Sequence, residues 1–421
     1  MVGTLPECGG RTTRAPSLPQ TCRASLIAAV TPICDAPVIP GEERRSDAQF
    51  VDTRAMRVDV VTEQLLAPVP GGTGRYTAEI CAALVTEAPA GSTVQGWTAW
   101  HRDVSAARVH GMSTPRRLPL ARRPLAVAWE TGLPVGPRGG DVVHAPTLLA
   151  PPRGSRPLVV TVHDAVPWTH PETLTPRGVH WHRRMAQRVV PGADALVVPT
   201  RAVANELAQF VALPGRVVVS GAGVGKQLGE PADAEERRKR MGVPEGAYLL
   251  SVATLEPRKG LDVLLMALAE RPDDLPPLVV AGPSGWGGVR LEELARDIGL
   301  PPHQLIMLGR IGDLDLAAVL HGATALVAPS RAEGFGLPVL EAMAAGVPVV
   351  SSDAAALVEV GGGATVVTPV GDSGALAGAL RELVADGRLQ QSLAESGRRR
   401  AADFSWAMAA TRLWELYCSL V

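Results

Sequence analysis

The sequence predicts an α/β chain of two doubly wound, Rossmann-like units facing each other across a cleft. Three observations predict it. Short apolar, β-branched runs alternate with amphipathic stretches, the signature of a parallel sheet covered on both faces. The alternation stops at the Gly-, Pro- and charge-rich segment 221–246 and then begins afresh. With 421 residues the chain is long enough for two ordinary cores.

Residues 1–55 are rich in Pro, Arg, Thr and Gly and show neither a helical nor a strand period. They read as disordered, or as an extension ahead of a true start at Met56. The first unit, 56–222, has strands at RVDVV (57–61), DVVHAP (141–146), LVVTVHD (158–164) and ALVVPT (195–200). Helices fit 75–88 and 201–210. Residues 223–246 read as the interdomain linker, with one short helix. The second unit, 247–403, has strands at 248–254, 277–282, 305–311, 325–330 and 347–352. Its helices fit 261–272, 289–300, 314–323, 338–346 and 374–387. An amphipathic stretch with Trp406, Leu413, Trp414 and Tyr417 closes the chain over 404–421. Ligands of such sheets bind beyond the carboxyl ends of the strands.

Composition narrows the function. Apolar residues make up 46% and charged residues 20%, an ordinary globular balance. A net charge of −1 leaves no basic excess for neutralising phosphates, which argues against nucleic acid as a partner. The five cysteines, Cys8, Cys22, Cys34, Cys81 and Cys418, have no C-x-x-C spacing, so a reducing cytoplasm fits better than a disulfide or zinc framework. No apolar run approaches the roughly 20 residues that span a bilayer. The stretch SLIAAVTPIC (25–34) is a poor secretion signal, being short and interrupted by Pro32. The segment 116–129 mixes Arg116, Arg117, Arg122 and Arg123 with apolar residues. It reads as a solvated loop, with peripheral contact to anionic lipid as the alternative. His180 and His182, two apart on a helix, point to different faces and do not suggest a metal site.

Three motifs carry chemistry. PVPGGTGRYTAEI (68–80) is a glycine-rich turn opening a helix, which presents amides to an anion. Thr77 stands where a dinucleotide fingerprint needs its third glycine after Gly72 and Gly74, so NAD binding is disfavoured. In SVATLEPRKGLDVLL (251–265), Arg258 and Lys259 sit between a strand end and a helix start. Two cations there oppose the helix dipole, so an anionic ligand explains them better than a solvated surface does. In SRAEGFGLPVLEAMAAG (330–346), Glu333 precedes a Gly-Phe-Gly turn and Glu341 lies one turn into the next helix. Pro338 suits the first helical position. Two carboxylates flanking free helix-start amides suggest a ligand with paired hydroxyls as well as negative charge, such as a sugar or ribose.

With these motifs in order, residues 56–421 resemble glycosyltransferase family 4, retaining nucleotide-sugar transferases of the GT-B fold, and in particular its mannosyltransferase-like bacterial members. The resemblance rests on GGTGRY, VTVHDAVPWTHPE, SVATLEPRKGLDVLL, VVAGPSGWG, APSRAEGFGLPVLEAMAAGVPVVSS and the DFSW that opens the closing helix. It implies that Glu341 holds the ribose hydroxyls and Glu333 the hydroxyls of the transferred sugar. The amides of Phe335, Gly336 and Leu337 would lie near sugar and diphosphate. Lys259, helped by Arg258, would neutralise the leaving diphosphate, and His163 would line the sugar pocket. Gly72, Gly74, Arg75, Tyr76 and Asp164 would face the diphosphate or acceptor, and Arg310 and Ile311 would border the base. One departure stands out. Many members carry a G-R pair several residues before the lysine, where this chain has Ala253-Thr254.

The resemblance also implies a reaction without a metal or other cofactor, the protein's own cations taking a metal's place, since no D-x-D motif stands out. Same-face attack, with the donor phosphate taking the acceptor proton, would explain why no paired nucleophile and acid are evident. The expected donor is GDP-mannose, with UDP- or dTDP-sugars open. The expected acceptor is a glycan or lipid-linked molecule of cell-envelope or polysaccharide synthesis, made in the cytoplasm or at the inner face of the plasma membrane. The alternatives are a GT-B nucleotide-sugar epimerase and a catalytically silent nucleotide-sugar-binding scaffold.

Overall fold

The computed structural model describes residues 55–68, 71–285 and 287–421. The readings made for the amino-terminal extension and for Cys8, Cys22 and Cys34 lie outside the described residues, as do Val69, Pro70 and Trp286 of the motifs.

The described residues form two parallel sheets. The first contains β1 (Arg57–Val61), β2 (Thr93–Thr98), β3 (Arg116–Arg117), β4 (Val142–Ala145), β5 (Leu158–Thr161), β6 (Ala195–Val198) and β7 (Val217–Val219), in spatial order β3-β2-β1-β4-β5-β6-β7. The second contains β8 (Leu249–Val252), β9 (Leu278–Ala281), β10 (Leu305–Gly309), β11 (Ala325–Ala328), β12 (Val349–Ser352) and β13 (Val366–Thr368), in order β10-β9-β8-β11-β12-β13. Every pairing is parallel. Strand order reverses between β1 and β4 and again between β8 and β11. Those two switch points are where the crevices of such sheets open.

Runs such as ALVV in β6 and LVVA in β9 are buried along their whole length, because helices cover both faces of each sheet. β2 (TVQGWT), β3, β7 and β13 were not foreseen; they are short, polar or glycine-interrupted, or lie at a sheet edge. Residues 116–129 correct an expectation. They supply edge strand β3 and most of the helix Arg122–Thr131, which buries Leu125, Ala128 and Trp129 and leaves Arg123 outside.

Within 223–246, the helix Ala234–Arg240 packs on the helix Asp313–His321 of the second sheet. Arg237 pairs with Asp315 at 2.7 Å, and Arg238 donates to the Ala318 carbonyl at 2.9 Å. The closing helix Trp406–Cys418 lies against the first helix, Gly71–Thr86, and the Trp414 indole N–H donates to the Leu84 carbonyl at 2.9 Å. Tyr417 Oη and Thr161 Oγ1 hold the two ring nitrogens of buried His144 at 2.6 and 2.8 Å. One apolar core therefore runs from Val58 and Ile80 through Trp406 and Leu413 to Leu250 and Leu340. A single continuous core that includes the closing helix couples the two sheets mechanically. No helix among the described residues is long and apolar enough to cross a membrane.

Candidate active site at the strand ends

The site forms where the exits of β5 and β6 in the first sheet meet those of β8 and β11 in the second. After β8 the chain makes a tight turn, Pro257–Lys259, before the helix Leu261–Ala269. After β11 it makes the Glu333-Gly-Phe-Gly loop before the helix Leu337–Ala345. Gly336 is left-handed, with φ 88°, and a side chain there would overlap Leu357. Only glycine fits this corner, and of the first three helical residues only Leu337 has an amide to offer at the strand end, since Pro338 carries none and the Val339 amide donates to the Gly336 carbonyl at 2.9 Å. Gly334 meets a different constraint. A Cβ on it would overlap the His163 carbonyl oxygen, so its missing side chain lets the two domains touch. Thr200 Oγ1 donates to the Gly334 carbonyl at 3.0 Å, and Glu359 accepts from the amides of Arg201 and Ala202 at 2.8 Å each.

The two turns place opposite charges together. Glu333 Oε1 accepts from Lys259 Nζ at 2.6 Å and from Ser330 Oγ at 2.8 Å, and Oε2 accepts from Arg258 Nη1 at 2.9 Å. Burial would raise the pKa of Glu333, but the two cations and the hydroxyl outweigh it and hold the group at about 2. Glu333 is therefore ionised at every physiological pH.

Glu341, one turn into its helix, is 4% exposed and pairs with Arg75 Nη1 of the first domain at 3.0 Å. Arg75 also reaches Asp313, at 3.9 Å. Burial pushes Glu341 up from 4.5 to about 7; Arg75 opposes the shift, while Asp313 and Glu79 add to it. Sequence reasoning had not foreseen this pairing, because nothing local links the first helix to the Glu341 helix.

His163 leaves the end of β5, half-buried, and its Nε2–H donates to the Pro146 carbonyl at 2.8 Å. Burial lowers its pKa against the pull of Pro146 and Asp164, which favours a neutral ring with Nδ1 as an acceptor. Asp164 Oδ1 caps its own turn at the Val166 amide, 3.1 Å away.

Several expected contacts are corrected. Tyr76 faces the core at 3% exposure, bonded to Ser220 and edge-on to the His163 ring at 4.8 Å, so it supports His163 and does not meet a ligand. For Phe335, whose amide alone was expected to serve, there is no correction: its ring is buried edge-on against Phe404. Arg258 is engaged on three sides, by Glu256 at 2.6 Å and by Ala332 O and Glu333 at 2.9 Å, and does not project as a free cation. Gly72 and Gly74 lie in the first turn of the helix Gly71–Thr86, within a turn of Arg75. Arg310 is exposed and Ile311 half-buried where β10 ends, on the short loop that leads into the helix opened by Asp313, the Arg75 partner. Among the described residues no His, Cys, Asp and Glu group could hold a metal.

Two facing Rossmann-like sheets with such a site at their strand ends define the GT-B class of fold. Solved structures agree on the fold. Sucrose-phosphate synthase from Thermosynechococcus elongatus covers 87% of this chain and 99% of its own, at TM-score 0.68 and 22% identity. HepE from Anabaena, solved with UDP-glucose, covers 87% and 100% at TM-score 0.65 and 20% identity.

Residues 70–225 match the model of Glycosyltransferase Family 4, and residues 233–400 match that of Glycosyl transferases group 1. Each half of the chain thus matches its own glycosyltransferase family model, which supports a GT4-type glycosyltransferase. Among its relatives is a D-inositol 3-phosphate glycosyltransferase from Salinispora arenicola, 33% identical over 55% of this chain and 56% of the relative. Another, of the same name, is from Corynebacterium diphtheriae, 32% identical over 62% of this chain and 65% of the relative. The chain thus spans little more than half the length of the relatives it matches.

Proposed function

We propose that the chain is a retaining glycosyltransferase that moves a hexose from a nucleotide sugar to a glycan or lipid-linked acceptor. The observation that carries this reading is the Lys259–Glu333–Arg258 cluster beside the start of the Leu337–Ala345 helix, opposite His163. Breaking an anomeric bond puts negative charge on the leaving diphosphate and positive character on the sugar. Lys259 and the Leu337 amide at the positive end of the helix suit the first, and the permanently ionised Glu333 suits the second. Glu333 and His163 Nδ1 accept from hydroxyls of the transferred sugar, and Glu341 accepts from the ribose once Arg75 has moved aside. Arg75 then turns to the diphosphate or acceptor, and the backbone at Arg310 and Ile311 borders the base. Contact between the domains through Gly334 keeps water from the donor.

The mannosyltransferase-like motifs support GDP-mannose as donor. UDP-glucose is the second reading, supported by its presence in the Anabaena relative in fold. The relatives named for D-inositol 3-phosphate make a phosphorylated polyol a second acceptor candidate. The exposed Arg116, Arg117 and Arg123, with Val127 at 57% and Leu133 at 55% exposure, support peripheral contact with anionic lipid at the inner face of a membrane. The purified chain, assayed with a panel of GDP-, UDP- and dTDP-sugars, tests the reading by thermal shift and by donor turnover with and without acceptor. Transfer that survives in Glu333→Ala and Lys259→Ala would sink it, and product formed without acceptor would point to an epimerase.

A further inference from the structure

Glu256 lies outside every motif role given above, yet it is one of the most buried carboxylates in the protein, at 2% exposure. It immediately precedes the Pro257–Lys259 turn, in the position where a short Asp, Asn, Ser or Thr side chain ordinarily caps free amides, and its longer side chain makes no capping bond. Its Oε1 turns instead to Arg258 Nη2, at 2.6 Å, while Oε2 is buried without a hydrogen-bond partner. A carboxylate buried with one oxygen unsatisfied is costly, and natural folds keep such a group where something else depends on it.

What depends on it here is the direction of Arg258. The guanidinium has Glu256 on one side and Ala332 O with Glu333 on the other. Glu256, Arg258, Glu333 and Lys259 thus form a row of alternating charge, with the far carboxylate fixing the arginine and the arginine fixing Glu333. Without Glu256, Arg258 would be one cation too many beside Glu333, and the incoming diphosphate would be its natural partner. Arg258 would then leave Glu333 to be oriented by Lys259 and Ser330 alone.

We propose that Glu256 is a positioning residue: it holds Arg258 against Glu333, so that Glu333 stays aimed at the sugar and the diphosphate is left to Lys259. This rests on the glycosyltransferase reading, and wild-type turnover separates the two. If the wild-type chain turns over no nucleotide sugar, that reading fails and the assignment of Glu256 falls with it.

Given wild-type turnover, the test is a double-mutant cycle of Glu256→Gln and Arg258→Gln, with kcat and donor KM measured separately and thermal midpoints recorded. Glutamine keeps the shape and one acceptor, so Glu256→Gln is expected to fold. Its kcat should drop roughly 10-fold, of the order expected for a misaimed group, while donor KM holds or falls. In the Arg258→Gln background the same change should alter kcat less than about twofold, because the group it acts through is gone. An unchanged kcat in Glu256→Gln, a rise in KM alone, or a full additive loss in the Arg258→Gln background would each overturn the proposal. Should Glu256→Gln not fold, Glu256→Asp replaces it in the cycle, with the same outcomes deciding.

Discussion

Glu333 and Glu341 stand eight positions apart on one loop and helix, both largely buried, and their environments drive them in opposite directions. Glu333 receives two cations and a hydroxyl from its own domain and is held at about 2. Glu341 receives one cation, from the opposite domain, and burial lifts it to about 7. Residue type and depth are nearly the same, so the difference comes from the number and origin of the partners. One carboxylate is a fixed charge belonging to the second domain. The other is a conditional charge whose counter-ion arrives only with the first domain.

The largest expected effect comes from removing the fixed side of this comparison. Lys259→Ala should lower kcat by roughly 10²–10³-fold, the usual loss when a preorganised electrostatic donor to a leaving group is deleted. Steady-state kinetics with saturating donor would read it, and a kcat within threefold of wild type would break the account.

Next is the contact between domains. Gly334→Ala places a Cβ against the His163 carbonyl, so the two halves must separate. A loss of at least about 10-fold in kcat/KM is expected, given how steeply rate depends on alignment, with the thermal midpoint changing little.

The conditional side shows itself in pH. A raised folded-state pKa means the folded chain holds the Glu341 proton more tightly than the unfolded chain does. Its contribution to stability is complete below about 4.5 and is lost as pH rises through about 7. On the proposed ribose role, hydroxyls donate more strongly to the ionised form, so nucleoside diphosphate should bind roughly 3- to 10-fold more weakly at pH 6 than at pH 8. Calorimetric titration would measure this, and Glu341→Gln should flatten the profile. The smallest effect belongs to Thr200→Val. It removes one neutral hydrogen bond between the domains and the hydroxyl's cap on the Val203 amide, each worth about 1 kcal/mol, and should change kcat/KM only a few-fold.

Most of the fold was legible in the sequence because short, β-branched apolar runs such as LVVA and ALVV, bounded by turn residues, suit strands buried on both faces. Of the strands that escaped notice, β2 (TVQGWT) is broken by polar residues and glycine and β13 (VVT) is only three residues long at a sheet edge, so their pairing is set by neighbours and not by their own period. In the site, Lys259, Glu333 and Glu341 were legible because glycines and charge cluster at strand ends, where a fold of this kind opens. Arg75 on Glu341, Thr200 on Gly334 and the Glu256–Arg258 pair were not. The first two join separate domains, and the third depends on which way a side chain turns. Tyr76 shows the opposite error: it shares a motif with Arg75, but helical geometry sends the two neighbouring side chains to different faces, one to the core and one to the cleft.

The division of labour between the two glutamates is tested most directly by titrating wild type, Glu333→Ala and Glu341→Ala with GDP and UDP and with the corresponding nucleotide sugars. Glu341→Ala should weaken nucleoside diphosphate and nucleotide sugar alike, by about 10-fold, the cost of leaving the ribose hydroxyls without their acceptor. Glu333→Ala frees Lys259 and Arg258, so it should bind the bare diphosphate as well as wild type or better while losing turnover of the nucleotide sugar. Equal loss of diphosphate affinity in both variants, or no loss in Glu341→Ala, would contradict the account.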